Sequence, residues 1–294
     1  MSSPSSSTKL ITLTIRGKIA IITLNNPSKL NALTQPLYLL LAQHMRTAAA
    51  NPETYITLLT GTGRYFSAGA DTSISRPSPT EASEARLYWQ HHFLSTNLAI
   101  TSLFSTHPKI LITALNGPAI GLSAALIAHS DFIYAAPSAF LLTPFTALGL
   151  VTEGGASRAF VQRMGAATAN EALIMGKRIG VDELVRTGFV NGVFDPQESE
   201  RGAQQKRGGE VSTGSDASST FLDMVVAHVE EQLLNRDLNP DSLLLVKELI
   251  KRPEKAVMES QNVAEVLAGL ERFVEGIPQR EFGRLSRGER RHKL

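Results

Sequence analysis

Cysteine is absent from the 294 residues, which removes disulfides, thiolate metal sites and thiol nucleophiles together. Aromatics are sparse at 6%, with Trp89 the sole tryptophan. Charge is missing from one long stretch: between Ile110 and Thr152 the only charged side chain is Asp131, which leaves two uncharged windows of 21 residues. Windows of that length can cross a bilayer. Asn116-Gly117-Pro118 interrupts the first, however, and Pro137 and Pro144 interrupt the second, so neither is the continuous helix that lipid requires. The pattern predicts a deeply buried soluble core and no membrane span. An excess of one charge is lacking too: 29 Lys+Arg against 27 Asp+Glu nets +2, too little to neutralise a row of phosphates, and no nucleic-acid partner is expected. Met1 to Thr8 has neither the basic nor the apolar region of a secretory signal and reads as a disordered lead.

What is present is a 43% apolar chain long enough to bury about three quarters of its unfolded surface. Leu10 to Ile15 alternates, Arg16-Gly17-Lys18 turns, and Ile19 to Leu24 is β-branched, which predicts a hairpin. Pro36 marks a first helical turn for a helix to Ala50. Further strands are expected at Tyr55 to Leu59, Lys109 to Leu115, Phe132 to Ala135 and Ala139 to Leu142. Helices are expected from about Thr80 to Ser105 and from Gly121 to His129. Strand, loop and helix recur, which is the mark of an α/β layer architecture. Residues 9–197 form the predicted core. Residues 198–219 hold Val211 as their one large apolar side chain and read as a flexible insertion. Residues 220–294 read as a helical C-terminal region with a basic tail, because Arg280 to Leu294 carries six Lys/Arg and two Glu and nets +4.

Three segments can carry chemistry. Ser67-Ala68-Gly69-Ala70-Asp71 lies between a strand and a helix and is built of residues too small to block a ligand, so its N–H groups can meet an anion or a carbonyl oxygen; an ordinary connector has the same composition. Leu115-Asn-Gly-Pro-Ala-Ile-Gly121 leads into a helix whose first amides lack intrahelical acceptors. There Gly121-Leu122-Ser123-Ala124-Ala125 approximates a nucleophile elbow, which would require a downstream Asp and then a His. Glu153, in Leu148-Gly-Leu-Val-Thr-Glu-Gly-Gly155, is the only charge between Phe132 and Ser157. Desolvation would raise its pKa into the range of a general base, and a carboxylate at a helix start is the alternative.

Together, Phe66-Ser-Ala-Gly-Ala-Asp71, Leu115-Asn-Gly-Pro-Ala-Ile-Gly121 and Leu148-Gly-Leu-Val-Thr-Glu-Gly-Gly155, in this order and at these separations, resemble the crotonase (enoyl-CoA hydratase/isomerase) superfamily. Within it the chain looks most like the fungal peroxisomal Δ3,Δ2-enoyl-CoA isomerases. The resemblance covers roughly Leu10 to Phe194 and the helical C-terminus. It implies a spiral of ββα repeats, a C-terminal helical trimerisation region, acyl-CoA thioester substrates and a homo-oligomer, either a trimer or a dimer of trimers. It places an oxyanion hole on the backbone N–H groups of Ala70 and Leu122, and a catalytic base at Glu153 oriented by Asn97. Ala68, Gly69 and Asp71 would lie along the CoA moiety, with Lys29 as a phosphate contact. The two glutamates of the family's hydratases fall on Ala125 and Phe145 here. The implied reaction is therefore isomerisation of 3-enoyl-CoA to trans-2-enoyl-CoA in β-oxidation, with no metal and no cofactor beyond the CoA of the substrate. An enzyme of a secondary-metabolite pathway and a non-catalytic acyl-CoA binder are the alternatives. Trp89 reads as core or lid packing. His292-Lys293-Leu294 resembles a peroxisomal address, with an import receptor as partner.

Overall fold

Strand β2 (Ile19–Leu24) is apolar at almost every position because both of its faces are covered. Ile19 and Ile21 enter one apolar cluster while Ala20, Ile22 and Leu24 enter another, as the two-residue side-chain period requires. The same division runs through β3 (Ile56–Gly61) and β4 (Ile110–Leu115): Leu58 and Ile112 face one way, Leu59 and Leu111 the other. In the computed structural model, which describes residues 9–72, 74, 76–77, 81–197 and 220–289, the main sheet has six strands. Their order is β1 (Ile11–Arg16), β2, β3, β4, β6 (Phe132–Ala135) and β9 (Gly192–Val193), with β1 antiparallel at one edge and the rest parallel. A second sheet joins β5 (Ala119–Ile120), β7 (Phe140–Leu142) and β8 (Ile179–Gly180).

Helix α1 (Gln35–Ala50) starts with Pro36 in its first turn and buries Leu37, Leu41, Met45 and Ala48 at helical spacing. Beyond β3 the chain forms α2 (Ala82–Trp89), a single π-helical turn (Gln90–Leu94) and α3 (Ser95–Ser105). The helix expected there is thus continuous from 82 to 105, with one wide turn inside it. After β5 come α4 (Leu122–Ile127), α5 (Ala156–Leu173) and α6 (Val181–Arg186). The two-residue strands β5, β8 and β9 are too short to leave a periodicity in the sequence.

The C-terminal helices are α7 (Phe221–Val229), α8 (Pro240–Lys251), α9 (Lys255–Val274) and α10 (Ile277–Ser286). Thr220 and Asp223 close a capping box on α7, and Val225, Val226 and Val229 cover the face of the main sheet that bears Ile19 and Ile21. Helix α9 packs on α2, α3 and α5. The charge-poor stretch from 110 to 152 supplies β4 to β7 and α4, and its single charge is paired: the Asp131 carboxylate meets Lys247 Nζ of α8 at 2.7 Å and accepts the Leu111 N–H at 2.8 Å. Among the described residues no helix is long and apolar enough to cross a membrane. Part of the stretch read as a basic tail is helix: Arg280 and Arg284 lie on α10, and Arg284 and Arg287 pair locally with Glu281 and Glu289. The lead at 1–8, the insertion at 198–219 and His292-Lys293-Leu294 lie outside the described residues.

Candidate active site

The loop from Ser67 to Asp71 is threaded between the segment at 30–33 and β5. Leu33 donates to Gly69 O at 2.8 Å and accepts from Asp71 N at 3.0 Å, while Ala68 N donates to Leu30 O at 2.9 Å. In such a parallel bridge the residue between the two bonded groups turns its own N–H to the opposite side. That residue is Ala70, and its N–H meets no acceptor among the described residues. Gly69 is required by the close passage. Its φ is +83° and a Cβ would stand 2.7 Å from Ile120 O. The second free donor follows from helix geometry: Leu122 opens α4, and the first N–H groups of a helix have no partner within it.

Both donors border a cavity of about 150 Å³. Its polar side is Tyr38, Arg76, Asn97 and Glu153; its apolar wall is formed by Trp89 and Phe93 together with Phe273 of α9 and Phe282 of α10. Glu153 is the single carboxylate among the described residues that line it. Asn97 Nδ2 donates to Glu153 Oε2 at 2.6 Å, which fixes the carboxylate and leaves Oε1 toward other partners. Burial pushes the Glu153 carboxyl up to about 7, against the downward pull of the Asn97 hydrogen bond and helped by the neighbouring charge of Glu265; the Arg76 guanidinium acts in the opposite sense. A carboxylate so placed can accept a proton near neutral pH.

Two further contacts hold the Glu153 loop. His129 Nε2 lies 2.8 Å from Gly154 O, and burial drops the imidazole to about 4, so at neutral pH it is uncharged and donates. Glu265, from α9, accepts Gly155 N at 2.7 Å and Ser157 N at 2.8 Å with its two oxygens. It therefore caps the start of α5 from a distant helix. Gly154 has φ +72° and lies against Ala125, where a Cβ would come within 2.7 Å of the Ala125 Cβ.

The structure brings Ala70, Leu122, Asn97 and Glu153 to one cavity. Ala68, Gly69 and Asp71 lie on the loop behind it. Lys29 is exposed at the end of a 3-10 turn (Pro27–Lys29) and is not among the lining residues. Ala125 and Phe145 are buried. Trp89 is buried and stacks on Phe273 with centroids 4.3 Å apart, so it is packing and cavity wall at once. The nucleophile-elbow reading of Ser123 does not survive the geometry: its Oγ donates to Ser67 Oγ at 2.9 Å, His129 is engaged by Gly154 O, and His228 packs on Tyr134 and Phe194 beside the α7 face of the sheet.

Sequence reasoning missed Tyr38, Arg76, Glu265 and the aromatic wall. The Tyr38 hydroxyl is buried beside Ser123, and among the described residues no atom meets it with hydrogen-bond geometry. Arg76 donates to Ile74 O at 2.8 Å and to Asp71 O at 3.3 Å, and it stacks 3.8 Å over the Phe282 ring. This ties the loop after Ala70 to α10. Tyr38 and Glu265 sit within good helical patterns that mark them only as helix residues.

Comparison with known proteins adds kinship. The family model for enoyl-CoA hydratase/isomerase matches residues 14–277. The chain is 50% identical over 290 residues to a Delta(3,5)-Delta(2,4)-dienoyl-CoA isomerase of Pyricularia oryzae, covering 96% of this chain and 98% of that protein. It is 32% identical to the 3,2-trans-enoyl-CoA isomerase of Saccharomyces cerevisiae, covering 97% and 96% respectively. An enoyl-CoA hydratase/isomerase structure from Mycobacterium paratuberculosis superposes with a TM-score of 0.75 over 94% of this chain and 98% of that one; at 22% identity it bears on the fold alone.

Proposed function

The chain belongs to the enoyl-CoA hydratase/isomerase family, and from that premise we propose that it is an enoyl-CoA isomerase moving the double bond of 3-enoyl-CoA to trans-2-enoyl-CoA, as in fatty acid β-oxidation. The observation that carries this reading is Glu153, the single carboxylate among the described residues that line the cavity, bonded to Asn97. In the proposed reaction the thioester oxygen accepts the N–H groups of Ala70 and Leu122. Glu153 removes a proton from C2, the C3–C4 double bond pair shifts to C2–C3 through an enolate, and the same carboxyl returns the proton to C4. Preorganised donors of this kind are worth about 3–4 kcal/mol each. Hydration would call for a second group to position water, and the positions expected to hold the hydratase glutamates are Ala125 and Phe145, both apolar and buried. The proposed chemistry needs no metal and no cofactor apart from the substrate's CoA.

A second reading is favoured by the name of the 50% identical Pyricularia protein: a 3,5-dienoyl-CoA moved to the 2,4-isomer. That shift carries a proton from C2 to C6, so one carboxylate must serve both ends or a second carrier must exist. Turnover of 3-enoyl-CoA and 3,5-dienoyl-CoA of matched chain lengths, measured side by side with hydration of 2-enoyl-CoA, decides between them. Preference for the 3-enoyl substrate supports the proposal, and preference for the dienoyl substrate replaces it. Binding without turnover of either leaves an acyl-CoA binder.

Because Glu153 must be ionised to accept the C2 proton, kcat/KM should rise with pH through about 7 and level off above it. A profile flat from pH 5.5 to 8.5 contradicts the assignment of the base.

We also propose a homo-oligomer. Helix α8 is inside-out: Lys247 and Lys251 reach inward to Asp131, whereas Leu245, Val246, Leu249 and Ile250 are 54–69% exposed. A contiguous apolar patch of this kind marks an association surface. Leu249→Lys together with Ile250→Lys should lower the mass seen by light scattering, and an unchanged mass moves the interface elsewhere. The peroxisome is the proposed compartment.

A further inference from the structure

The two donors of the proposed oxyanion site come from elements far apart in sequence, and what holds them in register is visible behind the cavity. Ser67 and Ser123 are 0% and 3% exposed. Ser67 Oγ accepts Gly69 N at 3.1 Å and Ser123 Oγ at 2.9 Å, and donates to Asn31 O at 2.9 Å, which uses its donor and both acceptor sites. Gly69 immediately precedes Ala70, and Ser123 immediately follows Leu122. Backbone pairing also links the two segments, through Ile120 N to Ser67 O at 2.9 Å, but it stops there. Gly121 turns at φ +59°, and beyond that turn the Ser123 hydroxyl is the group that reaches back to the first loop. Asn31 anchors the far end. Its side chain donates to Thr62 O and Tyr65 O, both at 2.9 Å, and accepts Asn26 N at 2.7 Å.

We propose that Ser67 and Ser123 are positioning residues, a buried hydroxyl brace that sets the separation of the Ala70 and Leu122 N–H groups. The proposal rests on the isomerase reading given above. A brace acts on the developing oxyanion more than on ground-state binding, so its loss should appear in kcat rather than KM.

The test uses the full-length chain as Ser67→Ala, Ser123→Ala and the double variant, with Ser123→Cys as a milder change that retains a weak donor. Displacing a donor costs less than removing one, so each alanine variant should lose about ten-fold in kcat with KM within about two-fold. The double variant should be no worse than the poorer single one, because both break the same contact. Difference Raman spectra of bound trans-2-enoyl-CoA supply a readout that general destabilisation would not move: binding should lower the thioester carbonyl frequency in the unsubstituted protein and lower it less in the variants. Ser123→Ala with unchanged kcat and a full carbonyl shift overturns the brace, as does a fall in kcat with the full shift retained. If the unsubstituted protein shows neither 3-enoyl turnover nor a carbonyl shift, the isomerase reading falls and the brace falls with it.

Discussion

Glu153→Gln is expected to lower 3-enoyl-CoA turnover by about a thousand-fold, within the range that a positioned acid–base group contributes. Gln keeps the shape and can still accept the Asn97 hydrogen bond, so affinity for trans-2-enoyl-CoA should change little. Stability should move the other way. The carboxyl stands at about 7 in the folded protein against an ordinary 4.5, so the folded state holds its proton more tightly than the unfolded one. Stability is therefore undiminished by this group below pH 4.5 and is lost as the pH climbs through 7, to a total of about 3 kcal/mol. Gln carries no such dependence. The variant should melt several degrees above the unsubstituted protein at pH 8 and level with it near pH 4.5. Turnover that survives the substitution removes Glu153 from the mechanism; equal melting at both pH values removes the account of its burial.

Glu265→Gln is the second change with a large expected effect. Both oxygens of this buried carboxylate accept backbone N–H groups, those of Gly155 and Ser157. A carboxamide offers one acceptor and turns an N–H₂ toward the other donor, so one N–H at the start of α5 is left unpaired and facing a like group. The cost is about 2 kcal/mol, which for a chain of this size is roughly 3 °C in Tm. Since Gly155 lies two residues after Glu153, kcat should fall as well, by about ten-fold. Burial raises the Glu265 pKa, against the pull of the hydrogen bonds from Ser157 and Gly155. A melting temperature within 1 °C of the original would show that water satisfies both amides.

The order of strands and helices through the first two thirds was legible because β2, β3 and β4 are covered on both faces and α1 on one, and burial of that kind writes itself into hydrophobic period. The two donor loops were legible for a different reason: a chain that must pass backbone against backbone needs small residues, and Gly69 against Ile120 O is the case in point. Asn97 was reachable through the family resemblance and not through any local pattern, and the single π turn at Gln90–Leu94 lies N-terminal to it. What was hidden is whatever a residue does across the fold. Glu265 looks like any polar position of an amphipathic helix until α9 is laid on α5. Arg76 sits in a polar stretch with no period, and its contacts with Asp71 and Phe282 come from tertiary packing. Phe273 and Phe282 carry no mark of a site in the sequence, and they complete the wall of a cavity whose other residues lie far earlier in the chain.

That division of the cavity between early and late residues has a consequence for biosynthesis. A ribosome delivers Ala70, Leu122 and Glu153 well before it delivers Phe273 and Phe282. Until the final helices emerge, the pocket lacks the Phe273 and Phe282 part of its apolar wall, and the Glu153 loop lacks the Glu265 cap. A chain cut short after α8 holds Glu153, Ala70 and Leu122 together with Trp89 and Phe93, but lacks the part of the wall that Phe273 and Phe282 supply. Under the proposed function the site is therefore complete only once α9 and α10 have been made.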